Sequence, residues 1–235
     1  MNPNLPIFVS EASYSLSSEL LSDVASLKSH QIYINDDSLY LYTICPDATT
    51  PLAQLDYLVA SLSETDRMRY RSFKNYAAAV SFVLGRILIR RGISSALDID
   101  PSTISIDALL HEKPKFSGCE FSISRSNGFL VGIFGRRTEL GIDIEFPHNI
   151  LEVDKIVSEY FPASYQELYN AHTSINRYKI FWNLWTDLES QLKLSGQGIF
   201  SVKSMRPSGN TIPLVFESLP IVGSLSYIVP AKNDY

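Results

Sequence analysis

The segment Gly141-Ile142-Asp143-Ile144-Glu145 alternates apolar and acidic side chains. That alternation predicts a strand with Ile142 and Ile144 anchored in a core and Asp143 and Glu145 sharing the other face, because side chains two apart in a strand point the same way. Further along, Trp185-Thr186-Asp187-Leu188-Glu189-Ser190-Gln191-Leu192-Lys193 predicts a helix with Trp185, Glu189 and Lys193 along one stripe at four-residue spacing. If the strand face meets the helix stripe, three carboxylates lie beside an ammonium. Hard oxygen donors next to a cation suit a magnesium–polyphosphate site. Each segment also has a plainer reading, a solvated strand end in the first and a solubilising Glu–Lys pair in the second. Against the latter, Phe181, Trp182, Leu184, Trp185, Leu188 and Leu192 make this helix mostly apolar, and charge on a mostly buried helix needs a partner or a ligand.

Outward from these segments, the pattern alternates between strands and helices. A Ser-rich stretch over 13–27 predicts a short helix on the body, and 38–44 a strand stopped by Cys45-Pro46. Helices are expected over 52–62, 65–74 and 77–91, the last closed by Gly92. Strands are expected at 104–110, 121–124, 128–135 and 140–145. Helices follow at 153–161, 163–171 and 175–194, ended by Ser195-Gly196, and then strands at 199–205, 214–217 and 223–229. This order predicts an α+β fold of two similar halves, a pseudo-dimer. The division is expected at Ser117-Gly118, giving an N-terminal half over 1–118 and a C-terminal half over 119–235 that carries the metal site.

Composition narrows the function classes. With 45% hydrophobic and 19% charged residues, the 235-residue chain has ample material for a core. A net charge of −5 argues against bulk nucleic-acid binding, which needs a basic footprint. Cys45 and Cys119 form no metal or disulfide framework, which fits a reducing cytosol. No signal peptide or bilayer-length apolar run is visible, so a cytoplasmic protein without membrane attachment is expected. The four histidines show no metal spacing, and no glycine-rich phosphate loop is present.

Two polar stretches offer further ligands. In Phe121-Ser122-Ile123-Ser124-Arg125-Ser126-Asn127-Gly128, hydroxyls and one guanidinium gather near a turn, and arginine suits phosphate through its planar fork of donors. The same residues read equally as a hairpin with Asn127-Gly128 at its tip. The run Asp66-Arg67-Met68-Arg69-Tyr70-Arg71 reads first as a solvated helix face, with one arginine free to reach a phosphate.

Taken in order, these marks resemble the 4′-phosphopantetheinyl transferases of the larger, monomeric pseudo-dimer type. They are the arginine-bearing helix ending in Phe73, Leu84-Gly85-Arg86-Ile87-Leu88-Ile89-Arg90, Lys113-Pro114, the Phe121-to-Ser126 segment, Gly141 to Glu145, and Trp185, Glu189 and Lys193 before Gly196. The resemblance implies magnesium-dependent transfer of phosphopantetheine from coenzyme A to a serine of an apo acyl or peptidyl carrier protein. It puts the metal ligands on Asp143, Glu145 and Glu189, and the catalytic groups on Glu189 and Lys193. Donor binding falls to Arg69, Lys113, Pro114, Ser124, Arg125 and Lys193. The chain also departs from the family pattern. Arg125 stands where histidine is usual, Leu188 for lysine, Ser190 for alanine, Glu112 for glycine and Tyr165 for an acid, while Asp66 and Phe82 occupy positions often basic or hydroxylic. A paralogue that binds a carrier protein or nucleotide without transfer is therefore the alternative, and an unrelated magnesium phosphohydrolase a third reading.

Overall fold

The computed structural model describes residues 7–9, 28–34, 37–44, 52–106, 114–196, 209–216 and 219–229. The fold is mixed α+β, and the chain divides into two compact units, one of residues 12–138 and the other of Met1–Glu11 with Glu139–Tyr235. No helix among the described residues is long and apolar enough to cross a membrane.

The first unit holds a sheet ordered β2-β3-β5-β4, from strands β2 (Lys28–Ile34), β3 (Asp37–Ile44), β4 (Glu120–Ser126) and β5 (Phe129–Gly135). All its pairings are antiparallel. Asn127 and Gly128 both take positive φ, at 47° and 85°, as a tight hairpin turn between β4 and β5 requires. Helices α1 (Leu52–Ala60), α2 (Glu64–Ser72) and α3 (Tyr76–Leu97) follow β3. Ser63 and Asn75 cap α2 and α3 by accepting from the Asp66 and Ala78 amides, which satisfies donors the helix cannot. Leu88 and Ile93 of α3 share a core with Tyr42, Ile44, Phe121 and Phe134 of the sheet.

The second unit holds a sheet ordered β1-β7-β8-β6, from strands β1 (Ile7–Val9), β6 (Glu139–Glu145), β7 (Asn210–Phe216) and β8 (Val222–Ile228). β1 runs parallel to β7 and the other pairs are antiparallel. Helices α4 (Val153–Tyr160), α5 (Ala163–Asn170) and α6 (Ser174–Ser195) complete it. Phe161, Tyr165, Phe181, Trp182, Leu188 and Leu192 form the aromatic-rich core beside α6.

Several sequence expectations change. The division falls after Thr138, not at Gly118, because β4 and β5 complete the sheet that β2 and β3 begin. Helix α3 runs through Gly92 and ends at Asp98, which takes the left-handed conformation. Gly92 is internal because the Phe134 ring lies where its Cβ would be. Strand β2 was missed, since Lys28-Ser29-His30-Gln31 carries no apolar alternation. β7 extends back through Pro213, which is tolerated because β1 pairs only with Leu214, Val215 and Phe216. Ile104 to Ile106 form no strand, and the remainder of that expected strand, the 199–205 strand and the 13–27 helix lie outside the described residues.

Candidate functional site on the second unit

The site is built where α6 crosses its sheet. Strand pairing sets side chains in rows on one face: Thr211, Ser226 and Gly141, then Pro213, Ser224 and Asp143, then Val215, Val222 and Glu145. α6 lies directly on the first row. A Cβ on Gly141 would run into the carbonyl oxygen of Ser190, so glycine permits helix backbone to rest on strand backbone there. Asp143 and Glu145 continue the same face from that point of contact.

Lys193 Nζ donates to Asp143 Oδ1 at 2.7 Å, joining helix and strand by a charge-assisted hydrogen bond. Asp143 is buried and Lys193 half-buried. Glu189, one turn earlier on α6, is raised above its ordinary carboxylic range. Burial is the main cause, Asp143 adds to it, Lys193 opposes it and Glu145 adds a further push. The four charged groups therefore act on one another, three acids against one ammonium. The arrangement is an ion-paired one: among the described residues no group of three or more His, Cys, Asp and Glu is disposed to hold a metal ion.

Trp185, on the same helical stripe, stacks on Phe181 at 5.9 Å between ring centres and belongs to the packing beside α6. Beneath the helix runs a polar seam that sequence reasoning missed. The Tyr165 hydroxyl donates to Asp187 Oδ2 at 2.9 Å, and Gln191 Nε2 donates to Tyr165 Oη at 2.9 Å and to Asp187 Oδ1 at 2.8 Å. Burial, reinforced by Asp187, pushes the Tyr165 phenol up, so it stays a donor. Thr186 and Ser190 meet Ser224 and Ser226 at 3.1 and 2.7 Å. The available signal was hydroxyls at helical spacing (186, 190) matched by hydroxyls at strand spacing (224, 226).

The other sequence-derived residues belong to the first unit. Arg69 is half-buried on α2, its guanidinium 5.3 Å from the centre of the Phe82 ring, with Arg86 at 5.2 Å from the same ring. Asp66 and Arg86 form a buried ion pair at 3.0 Å. Ser124 is buried on β4, and Arg125, next to it on that edge strand, is exposed. Pro114 is half-buried, and Lys113 lies outside the described residues.

No protein-family model matches the chain. It is 26% identical over 204 residues to the 4′-phosphopantetheinyl transferase HetI of Nostoc sp., covering 84% of this chain and 85% of that protein. A 4′-phosphopantetheinyl transferase of Bacillus subtilis is 28% identical over 165 residues, covering 68% and 71% of the two chains. The 4′-phosphopantetheinyl transferase Sfp of Bacillus subtilis strain 168 is 27% identical over 163 residues, with the same coverage. Relatives bearing one name, matched over most of the sequence, agree with the ordered motifs on α3, β4, β6 and α6: the chain is similar to 4′-phosphopantetheinyl transferases over most of its length.

Proposed function

We propose that this chain transfers the 4′-phosphopantetheine arm of coenzyme A to a serine hydroxyl of an apo acyl or peptidyl carrier protein, with magnesium as cofactor and adenosine 3′,5′-bisphosphate as the second product. Similarity to relatives named 4′-phosphopantetheinyl transferase supports phosphopantetheine transfer in general. The observation that carries the finer reading is the acid cluster of α6 and β6, in which Glu189 is raised partly by Asp143 and Glu145 while Lys193 holds Asp143. An acid whose pKa is pushed up by neighbouring acids is relieved when positive charge is added beside it. The donor chemistry, all carboxylate oxygen, suits a hard divalent ion, and holding one would require the acids to draw together from the ion-paired arrangement, in which they form no metal-holding group.

In this reading Asp143, Glu145 and Glu189 hold the magnesium, which when bound supplies neutralisation of charge on the pyrophosphate. Lys193 exchanges its carboxylate partner for a phosphate oxygen of the donor and stabilises charge as the bond to phosphorus breaks. Glu189 accepts the proton of the incoming serine, a role suited to a carboxylate with a raised pKa. Arg69, Lys113, Pro114, Ser124 and Arg125 are proposed to bind the nucleotide end of coenzyme A. The enzyme is proposed to act as a cytoplasmic monomer.

The ion pair between Lys193 and Asp143 also favours a second reading, a paralogue that binds a carrier protein or nucleotide and does not transfer. Intact-mass measurement of several apo carrier proteins, incubated with this protein, coenzyme A and magnesium, separates the two. The expected result is a mass gain equal to the phosphopantetheine arm, abolished by Asp143→Ala and by Glu189→Ala with the fold intact. Carrier binding without any mass gain supports the second reading. Full transfer by both variants removes the assignment of the acids.

A further inference from the structure

Burial of apolar surface is non-directional, so Leu188 and Leu192 alone do not select one position for α6 on its sheet. The hydroxyl seam does. The single proton of Ser190 goes to the Asp187 carbonyl at 2.8 Å, which leaves Ser226 to donate to Ser190 at 2.7 Å. Thr211 then donates to Ser226 at 2.9 Å. One row further, Thr186 donates to the Asn183 carbonyl at 3.2 Å and accepts from Ser224 at 3.1 Å. Each helix hydroxyl thus gives its proton to its own backbone and takes one from the sheet. Ser226 is fully buried, at 0% exposure, as are Ser190 and Thr186. Sliding α6 by a turn would keep only one of the two hydroxyl pairs and leave one hydroxyl of the helix and one of the sheet without its partner in a dry interface. Buried orphans of that kind are disfavoured.

Ser226 sits at the centre of this seam. It pairs across the sheet with Gly141 on one side and Thr211 on the other, and Gly141 is where the helix backbone touches β6. From that point Lys193 reaches Asp143, the next residue of the same strand face. We infer that Ser226 is a positioning residue: through its hydrogen bond to Ser190 it sets the register of α6, and so holds Glu189 and Lys193 opposite Asp143. Ser190 stands where the resembling family usually has alanine, which makes the hydroxyl pair a feature of this chain. The catalytic consequence rests on the reading of these charged residues as the reacting cluster, whereas the register claim does not.

The test is the coupling between Asp143 and Lys193, obtained by denaturant unfolding of the wild type, Asp143→Asn, Lys193→Met and the combined variant. It is then measured again in Ser226→Ala and in Ser190→Ala/Ser226→Ala backgrounds. Ser226→Ala is expected to lower stability, because it takes away the acceptor of the Thr211 proton, and adding Ser190→Ala to cost little more, because the Ser190 proton was satisfied by its own helix. In both backgrounds the coupling falls below about half its wild-type value. In the transfer assay kcat drops about tenfold or more, with KM for coenzyme A unchanged. An undiminished coupling in the doubly substituted protein overturns the inference, since the hydroxyls would then merely support the fold. If Ser226→Ala does not fold, Ser190→Ala carries the same measurement. If the wild type transfers nothing while the coupling still responds, the proposed function fails and the register claim stands.

Discussion

Helices α3 and α6 are each 22 residues long, each lies on a four-stranded sheet, and each rests on a glycine contact, Gly92 against Phe134 and Gly141 against Ser190. They handle charge in opposite ways. α3 carries Arg86 into the interior and closes it against Asp66, with Phe82 beneath the guanidinium. α6 carries Glu189 and Lys193 to two further acids, which push the Glu189 pKa up. A buried ion pair of this kind, with Arg90 close enough to act on both charges, is a structural solution. Two acids placed so that they raise the pKa of a third mark a candidate place for a ligand. In this chain the candidate site is recognised by where acids gather close enough to raise the pKa of their neighbour Glu189.

Substitution should separate the two kinds of charge. The largest effect is expected from Asp66→Ala, which strands Arg86 in the interior and should lower unfolding free energy by about 3–5 kcal/mol. A loss below about 1 kcal/mol would mean the pair is solvated in practice and would break the contrast. The glycine contacts come next. Gly92→Ala meets the Phe134 side chain, which has some freedom to shift, and Gly141→Ala meets backbone. Both should destabilise by about 1–3 kcal/mol, Gly141→Ala the more, as thermal or denaturant unfolding will show. Lys193→Met removes the partner of Asp143 but exposes a half-buried position, so about 1–3 kcal/mol is expected.

The smallest effect has the opposite sign. Because the Glu189 acid is raised in the folded protein, its charged form disfavours folding. The penalty is absent below the ordinary value of 4.5, sets in as pH rises from there through the raised folded value, and is complete above it. Glu189→Gln should therefore melt higher than the wild type at neutral pH, with the gain vanishing as pH falls to 4.5. A variant melting lower at neutral pH would show that Glu189 is structural, like Asp66.

What was legible in the sequence follows the range of the interactions. β6, the β4–β5 hairpin and α6 were read correctly because period, turn residues and caps are local signals. The α6 end at Gly196, in left-handed conformation, is such a case. Gly92 was misread by the same rule, because a glycine that admits a ring looks in sequence like one that ends a helix. The pairing of β4 and β5 with β3, which moved the division to Thr138, depends on sheet order and leaves no mark at Gly118. At the site, spacing put Asp143 and Glu145 on one strand face and Glu189 and Lys193 on one helix stripe, and the fold brings Lys193 to Asp143. The Ser226 seam did not, since single hydroxyls separated by 36 residues, as Ser190 and Ser226 are, have no joint signature until the sheet sets them in a row. Tyr165 reads as a departure from the family pattern, and only in the fold does it become the donor to Asp187.

The central proposal is that Asp143, Glu145 and Glu189 together would hold a divalent ion beside Lys193. Thermal unfolding with coenzyme A present, with and without magnesium, tests it most directly, because a ligand bound only by the folded state raises the melting temperature. The wild type should be stabilised by magnesium, and Asp143→Asn and Glu189→Gln should each lose that response. Equal magnesium shifts in the wild type and both variants would contradict it.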